Sequence, residues 1–376
     1  MLIFFLMFFS VAVLGNLYIY AHGAKVFAGM PTAKICFGVF VAFMTIAMAI
    51  GRIVQPRWLS EFLTQISSVW LAFMLYFILI LLVIDLVLLA DKFLHFLPKA
   101  FTGKGLIVAA IVTCIVCIIN AAAYINAVNP AVRNVNINIG KQAAGMQSLK
   151  AVLVTDIHLG LMIGKPHMER IVSLINAQTP DIVLLAGDMF DGDLAPVKRE
   201  GSGELFAQIQ SKYGVFAVTG NHEYFAGADE ATAYLRQNNV TVLRDEAVLV
   251  NDAFYIVGRN DVLANRIDVE RAEAKDITAN INLSLPVILM DHQPKDMKGN
   301  KAAGADVQVS GHTHKGQLWP MNFIINKVWE IPYGYRNVDG MHVYVSSGVG
   351  TWGPTARTTG RPEIVTLNIN FGQNQD

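Results

Sequence analysis

The stretch KAVLVTDIH, residues 150–158, is the first of six in which a short apolar, β-branched run ends in polar residues. Each run predicts a buried strand with functional residues just past its C-terminal end. Helical patterns at 166–178 and 229–239 separate the early strands, which predicts an α/β layered domain. Because ligands of such sheets bind beyond the carboxyl ends of the strands, we expect the polar clusters to meet at one sheet edge. The other five stretches are PDIVLLAGD (180–188), YGVFAVTGN (213–221), LPVILMDHQ (285–293), ADVQVSGHT (305–313) and MHVYVSSGV (341–349).

The region before these strands has a different composition. Residues 1–130 contain only ten Asp, Glu, Lys or Arg, so this region is predicted to lie in lipid. We therefore predict a membrane region at 1–130, a linker at 131–148 and a catalytic domain at 149–376. Four stretches are long and apolar enough to cross a bilayer: 2–21, 32–51, 67–90 and 105–127.

The predicted location is the cell membrane, with a multi-pass chain. A cleaved signal peptide is the alternative for the first stretch, but no Lys or Arg precedes it, and we favour a retained helix. Basic residues divide almost evenly between the two sets of loops, so the side that holds the catalytic domain stays open. All three cysteines lie in the apolar region, which also leaves the redox compartment open.

Asp85 lies inside the third apolar stretch, where a charged side chain is unfavourable. It either takes part in helix contacts or lipid-headgroup recognition, or it is an interfacial carboxylate near Lys92. We favour the second interpretation, because Asp85 lies close to the predicted end of the span. The remaining 246 residues carry 22 basic and 26 acidic side chains, so no nucleic acid binding is expected.

Five polar motifs follow the predicted strands in order. Taken singly, a His or Asp at a strand end is usually a turn or capping residue. Five such motifs on one edge indicate a metal site, and carboxylate, imidazole and amide ligands without thiolate suit Mn, Fe, Zn or Co. Two such ions can hold a bridging hydroxide and the phosphoryl oxygens of an in-line displacement. The motifs are D-x-H (Asp156, His158), G-D-x-x-D (187–191), G-N-H-E (220–223), His292 and G-H-T-H (311–314).

This ordered set resembles the calcineurin-like metallophosphoesterases. The tail YVSSGVGTWGP (344–354), with RPEI (361–364) after it, resembles their membrane-associated bacterial branch. The resemblance covers roughly residues 149–370. It implies a four-layer αββα sandwich, here preceded by a four-helix transmembrane region.

The resemblance also implies roles for individual residues. Asp156, His158 and His314 would bind one metal ion, Asp188 would bridge, and Asn221, His292 and His312 would complete the second site. His222 would donate a proton to the leaving oxygen or stabilise it, and Asp191 would orient that imidazole. Gly187, Gly220 and Gly311 would allow tight turns at the ligands.

The sequence departs from the commonest family pattern at two positions, Lys315 and Ser347, where the branch often has Gly and Arg. This affects the expected anion-binding shell, to which Lys315, Arg357 or Arg361 would contribute. Trp319 and Trp352 either line a path for lipid or pack in the core, and the two alternatives stay open. Glu223 is expected to support its loop, and His167 and His342 are read as structural or surface residues.

The expected function is hydrolysis of a phosphomonoester, phosphodiester or pyrophosphate, with a lipid-linked substrate favoured because the site is tethered to the membrane. Membrane lipid is the expected partner. Two other classes of function are considered, a sensor or adaptor and a transporter. A non-catalytic metal-binding sensor or adaptor conflicts with the intact ligand set and His222. A transporter with a regulatory domain would need more paired polar residues within the spans than Asp85 and Asn120.

Overall fold

The computed structural model describes residues 2–98, 105–266 and 269–373, and the chain forms two compact units, Met1–Ile125 and Asn126–Asp376. The first unit consists of long apolar helices. Within the described residues, three of them, α2, α3 and α4, are long and apolar enough to cross a membrane. The four helices of this region are α1 (Leu2–Val26), α2 (Pro31–Ile50), α3 (Arg57–Leu94) and α4 (Gly105–Ala127).

The predicted count of four spans is therefore shown for three. The stretch 2–21 falls on α1, but the side chains of residues 1–8 lie outside the described part of the chain. Helix α3 has 38 residues, about 57 Å at 1.5 Å per residue, so it extends well beyond the predicted span 67–90.

Polar contacts join α1 to α3 within this unit. The Trp70 indole donates to Asn16 Oδ1 at 2.8 Å. Asp85 accepts a hydrogen bond from the Tyr18 hydroxyl at 2.5 Å and lies 3.0 Å from His22 Nε2. These contacts support the helix-contact alternative for Asp85, and its position relative to the membrane interface stays a prediction. A carboxylate in an apolar helix is unfavourable without such partners.

The second unit contains two six-stranded sheets. The first sheet has the order β1-β12-β2-β3-β4-β5, in which β2 to β5 run parallel. The second has the order β10-β11-β9-β8-β7-β6, with β7, β8, β9 and β11 parallel. The strands are β1 (Ala131–Ile139), β2 (Ser148–Val154), β3 (Ile182–Ala186), β4 (Val215–Val218), β5 (Val240–Leu243), β6 (Glu246–Val250), β7 (Phe254–Gly258), β8 (Val287–Met290), β9 (Val307–Ser310), β10 (Gly334–Val338), β11 (Met341–Val345) and β12 (Glu363–Phe371).

Three apolar clusters hold the layers of this unit together. One lies between the sheets and includes Leu184 and Ile288. Another packs α5 and α8 on the first sheet, and a third packs α9 and α10 on the second. The order is thus helices, sheet, sheet, helices. The helices are α5 (Lys165–Ala177), α6 (Leu194–Glu200), α7 (Asn221–Ala226), α8 (Ala228–Gln237), α9 (Ala274–Thr278), α10 (Met297–Ala302) and α11 (Met321–Val328).

The segment predicted as a linker, residues 131–148, contains strand β1. This strand pairs in parallel with β12 over nine residues, from Ala131 with Glu363 to Ile139 with Phe371. Asn136 and Asn138 accept hydrogen bonds from Asn368 and Asn370 at 3.0 Å each. Two of the asparagines in this segment thus serve cross-strand pairing, because their side-chain amides have partners on the neighbouring strand.

Candidate metal centre

All six quoted stretches form strands, but they divide between two sheets. Strands β2, β3 and β4 belong to the first sheet, and β8, β9 and β11 belong to the second. The expectation of one sheet edge is therefore wrong. The polar clusters meet where the carboxyl ends of both sheets lie side by side, which matches the two-sheet fold implied by the family resemblance.

The first group of potential ligand atoms comes from the loops that follow β2 and β9. Nε2 of His158 lies 3.0 Å from Nε2 of His314, and that atom lies 3.3 Å from Asp156 Oδ1. Asp156, His158 and His314 are all buried and each offers a ligand atom within 4.8 Å of the others. Two imidazole nitrogens that face each other beside a carboxylate are an arrangement that a cation stabilises.

The second group combines both sheets. Asp188, after β3, is grouped with His292 and His312, which follow β8 and β9. Nε2 of His292 lies 3.0 Å from Asp188 Oδ2 without the geometry of a hydrogen bond, and its Nδ1 is 2.8 Å from the carbonyl oxygen of Ala186. The same Asp188 oxygen is 3.8 Å from His158 Nε2. Asp188 Oδ2 thus lies close to an imidazole of each group.

Asn221 is the remaining predicted ligand. It is the first residue of α7, directly after β4 and Gly220. Its Oδ1 atom is buried and has no hydrogen-bond partner among the described residues. A buried amide oxygen without a partner is unfavourable unless it binds something else.

Asp191 and His222 form a second layer beside the first group. Nδ1 of His222 donates to the backbone carbonyl of Asp191 at 3.1 Å, and the Asp191 carboxylate is 3.5 Å from Nδ1 of both His222 and His158. The structure therefore brings Asp191 next to His222, as expected, and also next to a potential ligand, which the sequence analysis missed. The backbone carbonyl of Asp191, and not its carboxylate, accepts the hydrogen bond that fixes the tautomer of His222.

The backbone at five of these residues is left-handed. Asp156, His158, Asp188, His312 and His314 have φ between 47° and 71°. Positive φ is uncommon for residues other than glycine, and it concentrates at functional sites where the fold holds it in place.

The three motif glycines act in two ways. Gly187 has φ of 88°, which favours glycine. Gly220 and Gly311 do not have positive φ, but a Cβ atom on either would collide with the carboxylate of Asp188 or Asp156. At these two positions glycine is needed for space, so the predicted reason, a tight turn, applies only to Gly187.

Glu223 organises the loop after β3. Its buried carboxylate accepts backbone N–H groups from Asp188, Met189 and Phe190, and a fourth from Gly220, at 2.7 to 3.1 Å. The geometry matches the loop-supporting role expected from the sequence. The signal for its contact with Gly220 is the spacing G-x-x-E, in which a glutamate at the third helical position accepts the N-cap N–H.

Arg357 is fully buried, unlike the surface residue that a flanking arginine usually is. It donates to the carbonyls of Ser347 and Gly350 at 2.7 and 2.8 Å, and its Nη2 lies 3.2 Å from His314 Nδ1. It therefore positions His314 and the 346–350 loop. Burial lowers the pKa of Arg357 to about 10.

The other candidates for an anion-binding shell have different partners. Lys315 Nζ lies 4.2 Å from the centroid of the Tyr333 ring. The Ser347 hydroxyl donates to the carbonyl of Arg361, whose guanidinium donates to the carbonyl of Asn129. These side chains are held by protein groups in the structure. His342 is buried against the Asn138 carbonyl, and His167 is half-buried, which fits structural roles for both.

The electrostatics of the site differ from one potential ligand to the next. Burial by itself lowers the pKa of His158 and of His292, but the facing carboxylates of Asp191 and Asp188 bring both above the usual value for histidine. Burial lowers the pKa of His312 to about 3 and that of His314 to about 4, so both imidazoles are neutral near pH 7. Burial alone raises the pKa of Asp188, but the facing imidazoles of His292 and His222 bring it well below its usual value. Neutral imidazole and ionised carboxylate are the forms that bind metal ions.

Two aromatic side chains flank the site. The Phe225 ring lies 5.3 Å from the His222 ring and is 56% exposed. On the other side, the Trp329 ring lies 5.2 Å from the His312 ring. Apolar surface therefore borders the polar centre at two places.

The family model for calcineurin-like phosphoesterases matches residues 149–316. An uncharacterized metallophosphoesterase of Aquifex aeolicus is 30% identical over 224 residues, which cover 59% of this chain and 85% of that protein. One from Campylobacter jejuni is 31% identical over 242 residues, covering 64% and 63%. A Bos taurus relative, named transmembrane protein with metallophosphoesterase domain, is 31% identical over 289 residues, covering 71% and 63%. The chain thus spans less than two thirds of the last two relatives.

Proposed function

This chain belongs to the calcineurin-like phosphoesterase family, and from that premise we propose that it is a membrane-anchored hydrolase of phosphoesters that uses two divalent metal ions. The observation that carries the proposal is the meeting of the two ligand groups at Asp188, whose Oδ2 lies 3.0 Å from His292 and 3.8 Å from His158. A carboxylate between two groups of imidazoles is suited to bridge a pair of cations.

We assign the ligands as follows. Asp156, His158 and His314 would hold one ion, and Asp188 would be shared between the two ions. Asn221, His292 and His312 would hold the second ion. The buried Asn221 oxygen and His292 Nε2, both without a hydrogen bond in the described part of the chain, fit this assignment because a ligand would satisfy them.

The absence of thiolates from the set favours Mn, Fe, Zn or Co. When bound, two such ions supply an activated water and neutralise charge on the phosphoryl oxygens. Three residues of the chain position the ligands. Glu223 accepts hydrogen bonds from the Asp188 loop, Arg357 contacts His314, and Asp191 contacts His158.

His222 is proposed to act on the leaving oxygen, as a proton donor or as an electrostatic stabiliser. Its Nδ1 donates to the carbonyl of Asp191, which leaves Nε2 for the substrate. Its backbone N–H donates to Asp188 Oδ1 at 2.8 Å, so the imidazole is tied to the bridging residue. A general acid must be held within hydrogen-bond reach of the atom that it protonates.

The substrate class we propose is a lipid-linked phosphomonoester, phosphodiester or pyrophosphate, hydrolysed by a multi-pass protein of the cell membrane. Three helices with the length and hydropathy of membrane spans precede the catalytic unit, and we assign α1 as the fourth span. Exposed Phe225 beside His222 gives the site an apolar border suited to an acyl or prenyl chain.

The test of phosphoesterase activity uses purified full-length protein with Mn²⁺ and two soluble substrates, an aryl phosphodiester and an aryl phosphomonoester. Asp188→Asn is expected to lower kcat at least about a thousandfold, and His222→Ala about 10²- to 10⁴-fold. Asp229→Asn, at a mostly exposed carboxylate, is the matched control. Equal rates in all four proteins would favour the sensor or adaptor instead.

A separate experiment tests whether the substrate is lipid-linked. A panel of lipid phosphates in mixed micelles is compared with their water-soluble headgroup analogues, again with the full-length protein. We expect a higher kcat/KM for at least one lipid than for its soluble analogue, because the acyl chains add apolar contacts. Higher values for the soluble analogues throughout would reject a lipid-linked substrate while leaving the phosphoesterase assignment intact.

A further inference from the structure

Helix α11 carries an apolar stripe that faces outward. Met321, Ile324, Ile325 and Val328 follow the spacing i, i+3, i+4, i+7, which normally marks the face that a helix buries against its core. None of the eight residues of α11, all of which the structure describes, is buried. Ile324 is 55% exposed and Val328 is 65% exposed. Within the described part of the chain, three of the four side chains of the stripe are therefore exposed and Ile325 is half-buried.

Neighbouring side chains enlarge this surface. Phe323 is exposed on the same helix, and Trp319 is exposed just before it. Trp352 is exposed as well, and its backbone N–H and carbonyl are hydrogen bonded to the side chain of Gln317, two residues before Trp319. Scattered exposed apolar residues are normal, whereas a contiguous group marks an interaction site. The α11 patch is defined by Trp319, Met321, Phe323, Ile324, Val328 and Trp352.

The position of the patch within the second unit favours a bilayer as its partner. Asn126, the first residue of this unit, donates to the carbonyls of Arg357 and Gly360 at 2.9 and 2.7 Å. Thr358 of the same loop accepts the backbone N–H of Trp319 at 2.7 Å. The loop 357–360 thus contacts both Asn126, where the chain enters this unit, and Trp319, where the patch begins.

The entry follows directly from a candidate membrane span. Helix α4 meets the length and hydropathy of a span and ends at Ala127, four residues before β1 begins. The loop that contacts Asn126 also contacts the start of the patch. The patch is therefore within reach of the lipid headgroups, because the candidate span ends next to Asn126.

The chemistry of the patch also fits the bilayer interface. Tryptophan rings with both apolar faces and a polar N–H are enriched at that depth. Lys327 is exposed on α11 itself, and Lys295 lies 5.3 Å from the Trp329 ring at its end. Apolar side chains beside lysines are the composition of helices that lie in the plane of a membrane surface.

We propose that the α11 patch inserts into the headgroup region of the membrane in which the chain is anchored. The inference rests on the proposed function and specifies how the site meets a lipid-linked substrate. Trp329, at the end of α11, contacts His312, so docking brings the metal centre next to the headgroups. Lipid phosphates then reach the site without leaving the bilayer.

The experiment measures contact with lipid at one position of the patch. Full-length protein with Cys36, Cys114 and Cys117 replaced by alanine receives the substitution Ile324→Cys and an environment-sensitive fluorophore. It is reconstituted in vesicles of phosphatidylcholine and phosphatidylglycerol that contain a nitroxide near the top of the acyl chain. We expect loss of at least about half of the emission, because interfacial helices bury their apolar face roughly 5–10 Å deep.

Leu283→Cys is the matched control, since Leu283 is an exposed leucine of the same unit that lies outside the patch. Less than about a tenth of its emission should be lost. Adding Phe323→Asp to the protein labelled at 324 should reduce the quenching, because a carboxylate in the patch opposes insertion. Equal quenching at both positions would overturn the proposal.

Two further outcomes would also overturn it. Water-like emission at 324 would show an uncovered patch, and blue-shifted but unquenched emission would show that protein covers it, either a second copy or another partner. The measurement needs no turnover, so it is repeated in the Asp188→Asn background. Loss of docking and loss of phosphoesterase activity are therefore separate results.

Discussion

The metal centre and the α11 patch depart from the usual burial pattern in opposite directions. At the centre, polar atoms such as Asn221 Oδ1 and His292 Nε2 are buried and have no hydrogen bond within the described part of the chain. In the patch, Phe323 and Ile324 are more than half exposed. Buried unpaired polar groups and exposed apolar groups are both unfavourable for a chain by itself. Each region therefore indicates a missing partner of the opposite chemistry, a cation in one case and lipid in the other.

Helix α5 shows what α11 would look like if its partner were protein. Its residues Met168, Ile171, Val172 and Ile175 have the same spacing as the stripe of α11 and are all buried against the first sheet. The two stripes have nearly the same composition. Their difference in exposure thus comes from the tertiary context and not from the pattern.

The largest expected effect concerns α5. Ile171→Asp places a carboxylate in the core, so we expect the free energy of unfolding of the second unit to fall by about 4 kcal/mol or more. Hydrogen exchange of the β3 amides in the full-length protein measures this value. An unchanged exchange rate would contradict the core position of Ile171 and weaken the comparison with α11.

Metal binding is the next effect in size. At a free Mn²⁺ concentration of about one hundred times its dissociation constant, the free energy of unfolding should rise by about 2.7 kcal/mol, because the ions bind only the folded unit. The same exchange measurement, with and without a chelator, checks it. His292→Ala should lose most of the increase, whereas Ile324→Asp should keep it. Equal stabilisation of wild type and His292→Ala would show that the buried polar atoms are not metal ligands.

The strands that carry the ligands were predictable from the sequence, whereas the pair formed by β1 and β12 was not. Strand β3 is buried over its whole length in a parallel sheet, so it appears in the sequence as a continuous apolar run. Strand β1 alternates asparagine with Val135, Ile137 and Ile139, and its partner β12 lies more than 200 residues away. The alternation was an available signal for a half-exposed strand, but nothing local shows the distant partner.

The ligands could be predicted from local motifs, whereas the residues that hold them could not. Asp156 and His158 occur in motifs whose chemistry is visible in the sequence. The contact of Arg357 with His314 spans 43 positions, and arginine is almost never fully buried, so no local pattern indicates it. The sequence also does not show that the α11 stripe faces outward, because the buried stripe of α5 has the same spacing.

A smaller effect is expected at Glu223, which satisfies four backbone N–H groups. Glu223→Gln replaces one acceptor oxygen with an NH₂ group, so two of these donors lose their partner, at a cost of about 2 kcal/mol in unfolding free energy. Hydrogen exchange in the 188–190 loop measures the change. Glu204→Gln, at an exposed glutamate, is the control. Faster exchange at 188–190 in both variants would argue against a specific role.

The smallest effect is expected for Ile324→Asp, where we expect unfolding free energy within about 0.5 kcal/mol of wild type in detergent, since no core contact is lost. Ile171→Asp gives the matching change at the equivalent position of the buried stripe, so the ratio of the two effects measures how far context separates them. A loss above about 2 kcal/mol at position 324 would mean that protein covers α11, as it covers α5. With stability unchanged, a reduced contact with lipid in vesicles can be assigned to the membrane surface itself, because the fold behind the patch is intact.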